Sequence, residues 1–181
     1  MNLNVLRDGI LCDMLLGPPP IGLMADLESR WKAGFTYTSL SMAGDIGASS
    51  DVYSRLAKMR QQLSAHPDEI VLVDRVDDVR AAKKANKLAI NFHFQGSEAV
   101  GRDLANVGAY YKLGIRQVIY DFYKGDAPTK IAMPAELPWG FFDPAHTPLL
   151  LSKLLDKGYS ADTVKGIMGG NFLRVAEGVW Q

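Results

Sequence analysis

Short apolar runs alternate with helix-period segments along this chain, and that alternation limits the fold more than any other feature. Phe35–Met42 is rich in aromatic and β-branched residues and reads as a strand. Ile70–Val73, Lys87–Gln95 and Arg116–Tyr123 read as further strands, and Val5–Leu16 as a first strand running into a loop at Gly17–Pro20. Between them lie helical segments: Ala25–Ala33, closed by Gly34, Ser50–Ala65, stopped by His66-Pro67, Val79–Asn86, and Glu98–Leu113, closed by Gly114. Ser49, Ser50 or Asp51 can cap the second of these, and Asp77-Asp78 open the third. Strand and helix at this spacing predict parallel βαβ units and an α/β class with a sheet of four or five strands. A closed eight-stranded barrel takes about 250 residues, and this chain has 181. The pattern therefore allows an incomplete barrel or a small open doubly wound sheet, in a single domain over residues 1–181.

The carboxyl third differs. Lys124–Pro148 holds five prolines in 25 residues and no sustained period, so it reads as a loop. Residues 149–181 read as helices: Leu149–Asp156, then Ala161–Met168 capped by Ser160, then a last turn or two over Phe172–Trp180. Gly169-Gly170-Asn171 follows a helix rather than a strand, so it reads as a cap or turn, not a phosphate loop. Tyr110-Tyr111 and Trp31 read as packing residues.

Charge and composition narrow the function classes. Lys+Arg and Asp+Glu are 20 each, which leaves no basic field for nucleic acid. No apolar run reaches the roughly 18 residues of a membrane span, and Met1–Leu16 carries Arg7, Asp8 and Asp13, unlike a secretory leader, so a cytoplasmic location is expected. The single cysteine, Cys12, excludes an internal disulfide and reads as a small buried hydrophobe. Three histidines, His66, His93 and His146, leave few ligands for a metal centre.

The best site signal is in Lys87–Gln95. Leu88, Ile90, Phe92 and Phe94 point to one face, and Ala89, Asn91, His93 and Gln95 to the other. A strand covered on both sides is normally apolar on both. Here one face turns polar toward its carboxyl end, where α/β proteins place their sites. Gln117 and Asp121 likewise share a face of the next strand. Asn91, His93, Gln95 and Asp121 are therefore candidates for a small-molecule pocket, or a set of polar groups that satisfy one another.

Two stretches carry a resemblance. The first is Lys87-Leu-Ala-Ile-Asn-Phe-His-Phe-Gln-Gly-Ser-Glu-Ala-Val-Gly101, followed by Asp103-Leu-Ala-Asn-Val and Tyr110-Tyr-Lys-Leu-Gly-Ile-Arg-Gln-Val-Ile119. The second runs from Leu154-Leu-Asp-Lys-Gly-Tyr-Ser through Gly166-Ile-Met-Gly-Gly-Asn-Phe-Leu-Arg-Val175. Both resemble the membrane dipeptidase (renal dipeptidase, peptidase M19) family, and Arg7–Asp13 and His66–Lys83 fit it in the same order. The resemblance implies a (β/α)₈ barrel of amidohydrolase type. It also implies hydrolysis of dipeptides or related amides by two zinc ions that acidify a bridging water.

This chain departs from that pattern at the ligands. Ile10 and Cys12 stand where the family's first strand carries a His-x-Asp pair, and Asp13 falls on the opposite strand face. Gln95 replaces the bridging Glu, and Glu98 falls near the substrate-contacting His. The two later ligand strands have no counterpart. Asp121 matches the family's late proton-shuttling Asp and is the one catalytic position the resemblance retains. A shortened, metal-site-degenerate relative is expected: no cofactor, or zinc if the chain is active. Its role would be a binding or interaction subunit, with a small molecule, a protein partner or a second copy covering exposed sheet edges. The alternative is a zinc-dependent dipeptidase with a site rebuilt from Asp13, His93, Asp121 or His146.

Overall fold

The computed structural model describes residues 8–17, 22–44, 51–119 and 144–180. Five strands form one all-parallel sheet: β1 (Cys12–Leu16), β2 (Tyr37–Gly44), β3 (Ile70–Leu72), β4 (Leu88–Gln95) and β5 (Ile115–Val118). β1 pairs with β2 and β2 with β4. The far edge of β4 is shared: β3 pairs along Leu88–Ile90, and β5 pairs higher up, along Phe92–Phe94. β4 is thus the central strand, and all of its residues but Gln95 are buried.

Helices lie on both faces: α1 (Leu23–Lys32), α2 (Val52–Ser64), α3 (Val76–Lys84), α4 (Ala105–Lys112), α5 (Thr147–Asp156), α6 (Ala161–Lys165) and α7 (Asn171–Val179). The apolar face of β4, with Leu88, Ile90, Phe92 and Phe94, packs with Leu27 of α1, Leu56 and Leu63 of α2, Tyr110 of α4 and Leu151 of α5. The other face meets α3 and α7 near the start of the strands. There Ala89 and Tyr37 pack with Val76, Val79, Ala82, Leu173 and Ala176. The Phe172 and Trp180 rings lie 5.5 and 6.0 Å from the Tyr37 ring. The sheet is open, with parallel strands and flanking helices, as the alternation predicts.

Element boundaries moved where local polar contacts outweigh periodicity. α3 starts at Val76, not Val79, because the Asp78 carboxylate reaches back to accept from the Asp74 and Arg75 amides at 3.1 and 2.9 Å. The helix expected from Glu98 begins only at Ala105. Ser97–Asp103 forms turns through Gly101 at φ 68°, and Asn106 Nδ2 ties down the Val100 carbonyl at 2.9 Å. Asp51 precedes α2 but makes no side-chain cap, whereas Ser160 Oγ accepts from the Thr163 amide at 3.1 Å. The expected strands over 5–16 and 116–123 shorten to Cys12–Leu16 and Ile115–Val118 within the described residues. Most of the proline-rich segment lies outside them.

The helix expected over Ala161–Met168 stops at Lys165 and passes through a π-type turn, Gly166–Gly170, into the nine-residue α7. Packing decides this break. A Cβ on Gly169 would stand 2.4 Å from Cys12 Sγ and 2.8 Å from the Ile10 carbonyl oxygen. Only glycine allows the turn to lie this close to the start of β1.

Candidate functional site

The polar face of β4 is completed by β2, which runs beside it with Ser39 paired to Asn91 and Ser41 to His93. Alternate residues of the two strands therefore share a face and bond to each other. Tyr37 Oη donates to Asn91 Oδ1 at 2.7 Å and accepts from Gln117 Nε2 at 3.1 Å. Ser39 Oγ and His93 Nδ1 are 3.1 Å apart, and Ser41 Oγ reaches Gln95 Oε1 at 3.5 Å, the outer limit for such a bond. The network is built from uncharged groups.

Asn91 and His93 are 1% and 0% exposed. Burial lowers the His93 imidazole to about 4, against weaker opposing effects from Asp13 and Ser39, so the ring is neutral at pH 7. Burial likewise raises the Tyr37 phenol. Asn91 Nδ2 and His93 Nε2 have no hydrogen-bond partner. The polar seam is buried at Tyr37, Ser39, Asn91 and His93 and half-buried at Ser41, Gln95 and Gln117.

Tyr37 and Ser39 belong to this constellation, and sequence reasoning missed them. The signal was their alternate spacing in β2, readable only once the β2–β4 register is known. Gln117, expected on a polar strand face, joins the network through Tyr37 Oη. Glu98 is exposed, on the turn after β4. His146 lies on the short 3₁₀ helix Pro144–His146, exposed and packed near α1. Asp121 lies outside the described residues.

Asp13 and Cys12 point to opposite faces of β1, as alternation requires. Cys12 packs with the Tyr37 cluster. Its thiol is pushed up to about 12, first by burial and then by the neighbouring Asp13 charge, so it stays protonated. Asp13 faces α1, where Arg30 Nε donates to its carboxylate at 2.9 Å while Arg30 also binds Asp26 at 2.5 Å. The side chains of Arg30 and Asp13 are 12% and 25% exposed, so this pair is partly shielded.

Two zinc ions need several anionic or imidazole donors converging on one point. Among the described residues no group of three or more His, Cys, Asp or Glu side chains converges in that way. The described candidates do not fit the pair: Asp13 is held by Arg30, Cys12 is a neutral thiol, Gln95 is an amide, and His93 is bonded to Ser39 through one nitrogen and buried at the other.

Residues 35–124 match the family model described as membrane dipeptidase (peptidase family M19). None of the curated proteins is similar enough to match the chain. Among solved structures, the chain is similar to an amidohydrolase from Pseudomonas aeruginosa, at 20% identity and TM-score 0.57, covering 64% of this chain and 34% of that one. It is also similar to the probable dipeptidase PvdM from Pseudomonas aeruginosa, at 14% identity and TM-score 0.56, covering 67% and 36%. At these identities the likeness is one of fold, and the chain spans about a third of the length of either protein. The open parallel sheet thus corresponds to an incomplete barrel. The segment that builds β2 to β5, residues 35–124, is thus the part of this chain that matches the membrane dipeptidase family, peptidase family M19.

Proposed function

We propose that this chain is a dipeptidase-like protein that does not hydrolyse peptides through a dinuclear zinc centre and acts instead as a binding or interaction subunit. The observation that carries this reading is the neutral seam of Tyr37, Ser39, Asn91, His93 and Gln117, which runs from the start of β2 at Tyr37 to His93 in the carboxyl half of β4. Water activation by two metals needs charged groups at the site to hold the ions and oppose the developing oxyanion. Here the hydroxyl, amide and imidazole groups are uncharged and bond to one another through Asn91 Oδ1 and His93 Nδ1. The nearby carboxylate, Asp13, faces the other layer, in an ion pair with Arg30.

The test uses the purified full chain. Zinc is measured by elemental analysis after dialysis against trace zinc, and turnover is measured on a panel of dipeptides with zinc added. The expected result is less than one retained zinc per chain and no metal-dependent hydrolysis. Two stoichiometric zincs, or hydrolysis abolished by a chelator and restored by zinc, would overturn the proposal.

A further inference from the structure

Two fully buried polar atoms on β4 lie next to a half-buried polar rim. Asn91 Nδ2 and His93 Nε2 have no hydrogen-bond partner, although the two residues are 1% and 0% exposed. Unpaired atoms this deeply buried cost stability, and native folds rarely leave them without a partner. The two residues alternate along one strand and share a face, and Gln95 follows on that face. Ser41 of β2 and Gln117 of β5 flank it at the level of His93. Ser41, Gln95 and Gln117 are half-buried, so solvent reaches the rim.

The strands on both sides of His93 are irregular. β2 carries one extra residue against β4 between Ser41 and Ala43, and β5 carries one between Ile115 and Gln117. Bulges are uncommon in parallel pairs and gather beside binding sites, where they re-aim side chains.

The chemistry of these groups selects the occupant. The residues around the two atoms offer hydroxyls and carboxamides, and the Ser39 contact at Nδ1 leaves His93 only Nε2. An ion entering here would give up its hydration for uncharged partners, and the Asp13 carboxylate, whose charge reaches His93, is already held by Arg30. A hydrocarbon would leave both atoms unpaired. A carboxamide satisfies both: its oxygen accepts from Asn91 Nδ2, and its N–H donates to His93 Nε2 while Nδ1–H donates to Ser39 Oγ. Residues two apart on a strand are separated by about 6.6 Å, a span covered by an O–C–N group with a hydrogen bond of about 2.9 Å at each end.

We propose that Asn91 and His93 form the floor of a binding site for an uncharged carboxamide group, entered past Ser41, Gln95 and Gln117. This rests on the binding role proposed above and names its ligand. The two fail separately: zinc and turnover decide that role, and ligand titration decides this site.

Acetamide, acetate and acetamidinium share one shape and differ in charge. Each is titrated into the full chain while the imidazole nitrogens of His66, His93 and His146 are followed by heteronuclear NMR. Acetamide should shift the His93 Nε2 resonance saturably, with a dissociation constant on the order of millimolar for so small a ligand, and leave His66 and His146 unmoved. Acetate and acetamidinium should bind at least about tenfold more weakly. Asn91→Leu should abolish the acetamide shift; if that variant loses its fold, the comparison of the three ligands on the parent chain decides alone. No saturable shift at His93, an equal response to either ion, or equal shifts at all three histidines would overturn the proposal. So would a His93 that acetamide leaves unmoved and that cross-relaxes with a long-lived water, which would assign both atoms to internal solvent.

Discussion

Replacing Gly169 by alanine tests the packing that decides the carboxyl-terminal fold. The added Cβ would stand 2.4 Å from Cys12 Sγ, 3.0 Å from Cys12 Cβ and 2.8 Å from the Ile10 carbonyl oxygen. The φ of Gly169 is 166°, extended backbone open to any residue, so the cost is collision and not conformation. The sulfur could swing away, but the carbonyl oxygen belongs to the backbone leading into β1. Overpacking of this kind typically costs about 1–3 kcal/mol, and we expect about 2 kcal/mol here. For a chain of this length that lowers the midpoint of thermal unfolding by roughly 4–8 °C. Urea unfolding followed by tryptophan fluorescence measures it, with Trp180 beside the Tyr37 cluster as a reporter. Cys12→Ala removes the nearest of the three contacts and leaves the carbonyl in place. The double variant should therefore be more stable than the sum of the single effects by about 0.5–1 kcal/mol, yet still below the parent. A Gly169→Ala change within about 0.5 kcal/mol of the parent, or strict additivity with Cys12→Ala, would refute the packing argument.

The buried His93 predicts a pH dependence. Its folded value of about 4 lies below the ordinary imidazole value of 6.5. The unfolded chain therefore takes up a proton first as the pH falls. Stability should be unaffected above about 6.5 and fall between roughly 6.5 and 4, by about 3 kcal/mol in all. Urea unfolding at a series of pH values measures the slope; a slope unchanged in His93→Gln would contradict the assignment. Tyr37→Phe removes the hydroxyl that joins Asn91 to Gln117 and leaves the Asn91 carbonyl oxygen buried without its donor. A loss of about 1–3 kcal/mol is expected in the same assay, and a neutral result would show that the seam contributes nothing to stability.

Much of the sheet was legible because β4 and β2 follow the period of two. Leu88, Ile90, Phe92 and Phe94 fall in one core cluster and Ala89 in the other, as the alternation places them. Helix ends were legible where a glycine enforces the stop: Gly34 and Gly114 sit at φ 93° and 95° after α1 and α4. The start of α3 was not, because Asp78 serves as its cap from inside the helix, at a position that periodicity treats as ordinary. Nor was the late start of α4, since turns held by Asn106 and Gly101 interrupt an otherwise helical composition.

The site divides in the same way. Sequence placed Asn91, His93 and Gln95 on one strand face and Cys12 and Asp13 on opposite faces of another. These are local consequences of backbone alternation, which needs no partner to act. It also carried the resemblance to the membrane dipeptidases and the departures at Ile10, Cys12 and Gln95. The partners of those groups came from tertiary structure. The parallel register of β2 and β4 brings Tyr37 to Asn91 and Ser39 to His93 across 54 positions of sequence, and the packing of α1 on β1 gives Asp13 to Arg30. Burial is likewise a property of the assembled layers, and it turns a histidine and a cysteine that could have served as ligands into neutral, closed-in groups. A side chain's face follows from its own backbone, but its charge state and its bonds depend on the neighbours that folding brings to it.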